Sequence, residues 1–258
     1  MKDFIASFWT EDLKIRRSKL FWISILIFSM FPLGGGVLIL VLRYPSLTAN
    51  LGIVRTKANL ALGATDWPAY LGLLVQITAV GGMFLFAFIT SWVFGREYTD
   101  RTAKDLLALP ISRITIVVSK FIAVIVWCLL LSMVIIILGL ITGFAISLPG
   151  LSLSHLYSGL WKIIISALLT IILVTPIALL ASASKGYLLP LGFTILMLVV
   201  GQVTNVLGWA PFFPWAIPAL YAVSPAPLGS VSYIILFLTG IAGLVLTFVW
   251  WKYADQTG

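Results

Sequence analysis

Apolar residues dominate this chain in long runs, and polar residues gather between them. Runs from about Leu20 to Leu42, Leu71 to Phe94, Phe121 to Ile146 and Ser158 to Ser184 stand out first. The stretch Gly186 to Trp251 carries no formal charge and is too long for one crossing. A patch rich in proline and tryptophan, Trp209 to Pro227, divides it into runs near Tyr187 to Leu207 and Ser230 to Trp251. A helix needs about 20 apolar residues to cross a hydrocarbon core. The pattern therefore predicts an all-α membrane protein with six transmembrane helices, read as a single transmembrane domain over residues 1–258. The patch is expected to form short re-entrant segments, because irregular backbone at membrane depth must be covered by protein or face a cavity.

Two polar stretches are patterned rather than featureless. Asp3 to Arg17 predicts a helix lying on the membrane surface, within an interfacial leader over residues 1–19. There Phe4, Ile5, Phe8, Trp9, Leu13 and Ile15 supply the apolar contacts, while Glu11, Asp12, Lys14, Arg16 and Arg17 are expected to stay wet. The second stretch, Arg96 to Lys120, is a charged island between the second and third runs. Glu97 and Arg101, Arg101 and Asp105, and Asp100 and Lys104 stand at the i,i+4 spacing that supports a helix. Leu106, Leu107 and Leu109 add an apolar edge, and Pro110 ends the segment. Such a helix in a connecting loop implies a soluble partner on that side of the membrane.

Composition agrees: 61% of the 258 residues are hydrophobic and 9% are charged, against about 25% charged in soluble domains. The net charge of +8 is not a nucleic-acid signature, because the basic residues sit at the ends of apolar runs. Most fall on the side of the termini and the island, which places these in the cytoplasm by the positive-inside rule. The leader has no features of a cleavable signal. Trp22, Trp67, Trp92, Trp161 and Trp250 lie near the ends of runs, as interfacial aromatics do.

Candidate chemistry is sparse. No phosphate-binding loop, zinc-protease motif or dinucleotide fingerprint occurs. Cys128 reads as a small buried apolar residue and His155 as a polar loop residue, and Lys162 reads as an interfacial anchor. No carboxylate falls inside the six runs, which argues against a proton- or ion-coupled carrier. Uncharged polar residues do fall inside them. Of these, Gln76, Thr78, Gln202 and Asn205 are candidates for a substrate path, with helix-to-helix hydrogen bonding as the alternative role. Gly139 with Gly143, and Ser182 with Gly186, read as helix-packing pairs. Pro176 predicts a kink, and Pro32 with Gly34 to Gly36 marks a hinge or a close contact.

At the island the order Glu97, Thr102, Leu106, Leu107, Pro110, Ser112, Arg113, Lys120 resembles the ABC-2 type permeases of ATP-binding cassette transporters. The leader, the six runs and the outer patch extend the likeness over nearly the whole chain. Arg101 departs from it, since many members have glycine before the threonine. The resemblance implies a coupling helix that docks on an ATPase subunit, through Glu97, Arg101, Thr102, Asp105, Leu106 and Leu107. It also implies two ATPase chains that hold the ATP and Mg, with no cofactor or metal on this chain and no catalysis by it. The remaining partners are a second copy or a related permease, and membrane lipid. The implied activity is export across a prokaryotic plasma membrane, and the nearly uncharged interior suits a hydrophobic or amphiphilic peptide antibiotic, drug or lipid. A secondary transporter or channel, and a membrane sensor or scaffold, are the alternatives.

Overall fold

A computed structural model describes residues 2–43, 64–100, 102 and 111–253. Most of the island, including Arg101, Asp105, Leu106 and Leu107, lies outside the described residues, as does the outer segment 44–63. The elements in chain order are α1 (Lys2–Arg16), α2 (Lys19–Arg43), α3 (Trp67–Thr99), α4 (Arg113–Ala145), α5 (Leu153–Ala183), α6 (Leu188–Val206), α7 (Ile217–Val223) and α8 (Ser230–Tyr253). No strand occurs among the described residues. Six of these helices, all but α1 and α7, are long and apolar enough to cross a membrane.

The helix starts are set by ordinary capping chemistry. The Asp66 carboxylate accepts from the Ala69 N–H at 3.0 Å, with Pro68 in the first turn of α3. Ser112 Oγ accepts from the Thr115 N–H at 3.1 Å, and Ser152 Oγ from the His155 N–H at 3.2 Å. Each satisfies a donor that the first turn of a helix leaves free.

Because Ser112 caps α4, that helix begins well before the apolar run does. Arg113 to Lys120 are helical, and α3 likewise runs on through Glu97 to Thr99. Both ends of the island are thus helix, where hydropathy alone suggested loop. Hydropathy misses them because these turns are buried by protein rather than by lipid.

Small residues set the helix contacts. Lipid tails are as apolar as leucine, so association rests on close packing. A Cβ at Gly139 would collide with Leu74, and one at Gly143 with Trp67, which joins α4 to α3. Gly35 and Gly36 of α2 lie against Tyr70 and Thr142, so the glycine run serves close packing in a continuous helix. The expected kink in α5 is present: the helix turns at Val174 and restarts at Thr175, with Pro176 in its new first turn. Thr175 Oγ1 donates to the Gly240 carbonyl at 2.6 Å, and α8 comes close there because side chains at Gly240 or Gly243 would strike Ile172 or Pro176.

Much of the proline-rich patch is helical, with irregular backbone at Trp209, Phe213 and residues 224–227. It forms two 3-10 turns, Ala210–Phe212 and Pro214–Ala216, followed by α7. Ala216, Ile217 and Ala222 are buried there, and the segment packs on α3, α5 and α6. Lys162 Nζ donates to the Ser224 carbonyl at 3.2 Å, which pins the end of α7 to α5. His155 sits at the start of α5 with its Nδ1 3.3 Å from the Gly150 carbonyl oxygen.

Candidate functional site

Two polar clusters stand out, and α3 carries one at each end. The first lies where α1 crosses the ends of α3 and α4. Lys120 Nζ is 2.7 Å from Glu97 Oε1, 3.4 Å from Glu11 Oε2 and 3.0 Å from the Val93 carbonyl. Lys14 Nζ lies 3.1 Å from Glu11 Oε1 and 3.3 Å from Glu97 Oε1. Arg96 reaches Glu11 Oε2 at 3.3 Å, and its guanidinium lies 4.5 Å over the Trp92 ring.

Lys120 is fully buried, and Glu11 and Glu97 are each 3% exposed. Glu11, expected to be wet, is therefore buried instead. Its position four residues before Ile15, which is also buried, puts it on the inward side of α1. Burial alone pushes the Glu11 carboxyl up, but Lys120, Lys14 and Arg96 outweigh it and hold the group below its ordinary value. Buried charges persist only when paired and hydrogen-bonded. Here three cations face two carboxylates, while Glu97 Oε2 has no hydrogen-bond partner among the described residues.

Glu97 thus points inward. Just beyond it, Thr102 folds back onto α3, its N–H donating to the Glu97 carbonyl at 2.9 Å. The far root of the island is also held, since Arg113 Nη1 donates to the Trp251 carbonyl at 3.3 Å. Both roots of the island are therefore tied into the helix bundle, one to α1 and the other to α8. The sequence offered one clue to the cluster: Lys120 follows Ile114, Ile116, Val117 and Val118 and directly precedes the apolar run from Phe121.

The second cluster is uncharged. Gln76 from α3 and Gln202 and Asn205 from α6 line a cleft of ≈ 190 Å³, closed on one side by Trp215, Ala216 and Ala219. Trp215 Nε1 is buried without a partner among the described residues. Three of the four substrate-path candidates are brought together here. The fourth, Thr78, is fully buried and turned away, its hydroxyl donating to the Leu74 carbonyl at 2.8 Å. Beside Gln76 the α3 backbone widens into a π turn, Ile77–Gly81. Such turns recur at functional sites in helices. Gly201 of α6 faces Phe213 and Ala216 beside the cleft.

Six helices able to cross a membrane, an N-terminal helix clamped by charge and an uncharged cleft define a multi-pass membrane protein. The sequence matches the ABC-2 family transporter protein family over residues 7–201, and the chain belongs to that family. It is 31% identical over 196 residues to the bacitracin transport permease protein of Bacillus licheniformis, an alignment that takes in 74% of this chain and 90% of that protein. The chain is thus the membrane subunit of an ABC transporter. The family match ends within α6, so Gln202, Asn205, α7 and α8 lie beyond it.

Proposed function

We propose that this chain couples ATP hydrolysis on two separate ATPase subunits to the export of a hydrophobic or amphiphilic cargo. A peptide antibiotic of the bacitracin kind is the first candidate, because the relative's name specifies that cargo. ATP and Mg sit on the ATPase subunits, and this chain hydrolyses nothing. A second copy or a related permease completes the path across the plasma membrane, with both termini and the island in the cytoplasm.

The observation that carries this reading is the amide-lined cleft. Gln76, Gln202 and Asn205 are exposed on helices long enough to span a bilayer, and polar groups facing lipid there are costly. A cargo, water or second-copy surface relieves that cost. Coupling rests on the island. Arg101, Thr102, Asp105, Leu106 and Leu107 make the contact with the ATPase, while Glu97 holds the root of the loop from inside. Closure of the ATPases then moves α3 as a rigid body, carrying Gln76 with it.

The test is reconstitution with the cognate ATPase. The two should copurify, and the candidate cargo should stimulate ATP hydrolysis in proteoliposomes. Saturable hydrolysis by the isolated permease refutes the assignment. Orientation is checked in a Cys128→Ala background, where a cysteine at Ser154 should label from outside intact cells and one at Thr99 should not.

A further inference from the structure

A second cleft, unrelated to the amides, opens beneath α1. Its volume is ≈ 390 Å³, and it lies between α1, α2 and α4. Ile15, Ala123 and Trp127 form a buried floor. The one polar atom of the Trp127 ring is already satisfied, since its Nε1 donates to Ser24 Oγ at 3.1 Å. The slot therefore offers little to water and suits hydrocarbon. Trp22, Val126 and Leu130 wall it and are 65%, 46% and 38% exposed. From there, exposed apolar side chains continue along both helices, Leu26 and Met30 on α2 and Met133 and Ile137 on α4. The slot thus opens toward the bilayer.

Its mouth is basic. Arg16 at the rim is held by Asp12 at 2.9 Å and is already neutralised. Arg17, on the short link from α1 to α2, and Lys19, the first residue of α2, are exposed and form no ion pair among the described residues. Ile15 and Arg16 line one wall and Phe21 and Trp22 the other, so Arg17 and Lys19 stand one and two residues along the chain from lining positions, beside the mouth. The first turn of α2 carries no acidic residue, so its N-terminal positive end meets no negative charge there, only the Ser18 hydroxyl that accepts from the Phe21 N–H at 3.2 Å. Hydrocarbon below and unpaired positive charge above, at the edge of a bilayer, match the two halves of one molecule.

We propose that this cleft binds an anionic phospholipid, with an acyl chain in the slot between α2 and α4 and the phosphate on Arg17 and Lys19. An amphipathic peptide fits less well, because the slot faces the membrane side of α2 and α4. Binding at a membrane interface strengthens with buried apolar area and with attraction between basic side chains and anionic lipid, and the slot with Arg17 and Lys19 offers both.

The test uses the purified full chain in detergent, titrated with phosphatidylglycerol or phosphatidylcholine brominated on the acyl chain. Quenching of tryptophan fluorescence reports occupancy, because Trp22 and Trp127 line the slot. Each cation near the surface contributes about fivefold to anionic lipid affinity. Phosphatidylglycerol should therefore be preferred by about 25-fold, and R17Q/K19Q should bring that preference close to one. Val126→Phe fills the slot from its membrane side without adding a tryptophan, leaves both cations in place and should abolish saturable quenching. Leu130→Phe serves the same purpose if the first variant does not insert. Equal quenching by the two lipids, an unchanged preference in R17Q/K19Q, or an unchanged preference with the slot filled would each overturn the proposal. No ATPase is needed, so the result is independent of the transport reading.

Discussion

The two polar clusters of α3 obey opposite rules. Glu97 and Gln76 stand 21 residues apart on the same helix, which is roughly 30 Å along its axis. At the Glu97 end the polar groups are charged, buried and largely used up on one another. At the Gln76 end they are uncharged, open and lined up on a cleft. A buried charge without a partner is very costly, so the first cluster can only be a fixed joint. Exposed amides can exchange one partner for another at little cost, so the second is suited to passing contacts. One helix thus has a clamped foot and an adaptable head, with the π turn just past Gln76 as the place where its geometry departs from a plain α-helix.

The sharpest way to break this contrast is Lys120→Met. Of the two cations that touch both carboxylates, Lys14 and Lys120, it removes the fully buried one and leaves Glu97 and Glu11 buried with less compensation. Breaking a buried pair in this way costs about 3–5 kcal/mol. The thermal midpoint of the purified chain should fall clearly, and its assembly with the ATPase should fail. Adding Glu97→Gln should recover part of the loss, because the unpaired charge goes with it. If Lys120→Met left the midpoint and transport unchanged, the cluster would not be a joint.

Leu106→Asp or Leu107→Asp comes next, and it acts one step further from the bundle. Each puts a charge where the docking reading expects an apolar contact, at a cost of about 1–3 kcal/mol if the site is desolvated. Copurification with the ATPase should drop about tenfold or more, while membrane insertion and the thermal midpoint of the isolated chain stay put. That pattern separates the docking surface from the joint, since Lys120→Met should lower both.

How far the sequence revealed all this depends on the kind of contact. The six helices were legible because crossing hydrocarbon demands long apolar runs, and no other soluble or membrane architecture gives that pattern. Gln76, Gln202 and Asn205 were legible because a carboxamide inside such a run is conspicuous. The joint was not. Lys120 and Glu11 are 109 positions apart, and periodicity carries no information about which distant charges meet. An amphipathic reading of α1 placed Glu11 with its charged neighbours in water, whereas the ends of α3 and α4 turn that face of the helix into an interior. The close contact of Gly240 and Gly243 with α5 was hidden for the same reason: Pro176 marks the bend, but no local pattern says which distant helix packs against it.

At the open end of α3 smaller effects are expected. Gln202→Leu and Asn205→Leu remove amides that line the cleft without burying any unpaired group. Cargo-stimulated ATP hydrolysis should need about three- to tenfold more cargo for half-maximal effect, corresponding to about 1 kcal/mol. Basal hydrolysis and thermal stability should hold. Thr78→Val is the internal control, because that hydroxyl only returns to its own helix. A cargo response lost in Thr78→Val but kept in Gln202→Leu would place the path elsewhere.

The smallest effect near neutrality, and the one that most cleanly separates the two ends, is the response to pH. Glu11 faces Lys14 on its own helix, Arg96 and Glu97 on α3 and Lys120 on α4. Its carboxyl is held below its ordinary value of 4.5. A group with a lowered folded-state value contributes its full stabilisation above the ordinary value and loses it as pH falls through the lowered one. The thermal midpoint should therefore be flat from neutral pH down to that range and then decline. In Glu11→Gln it should start lower at neutral pH and decline less steeply, because the group that titrates is gone. The lining of the amide cleft holds no titratable side chain, so Gln202→Leu should shift neither the position nor the slope of the decline. Differential scanning fluorimetry of the three proteins across this range decides it. A decline of equal steepness in Glu11→Gln and the parent would mean that the joint owes nothing to this carboxylate, and that α1 is held to α3 and α4 by apolar packing alone.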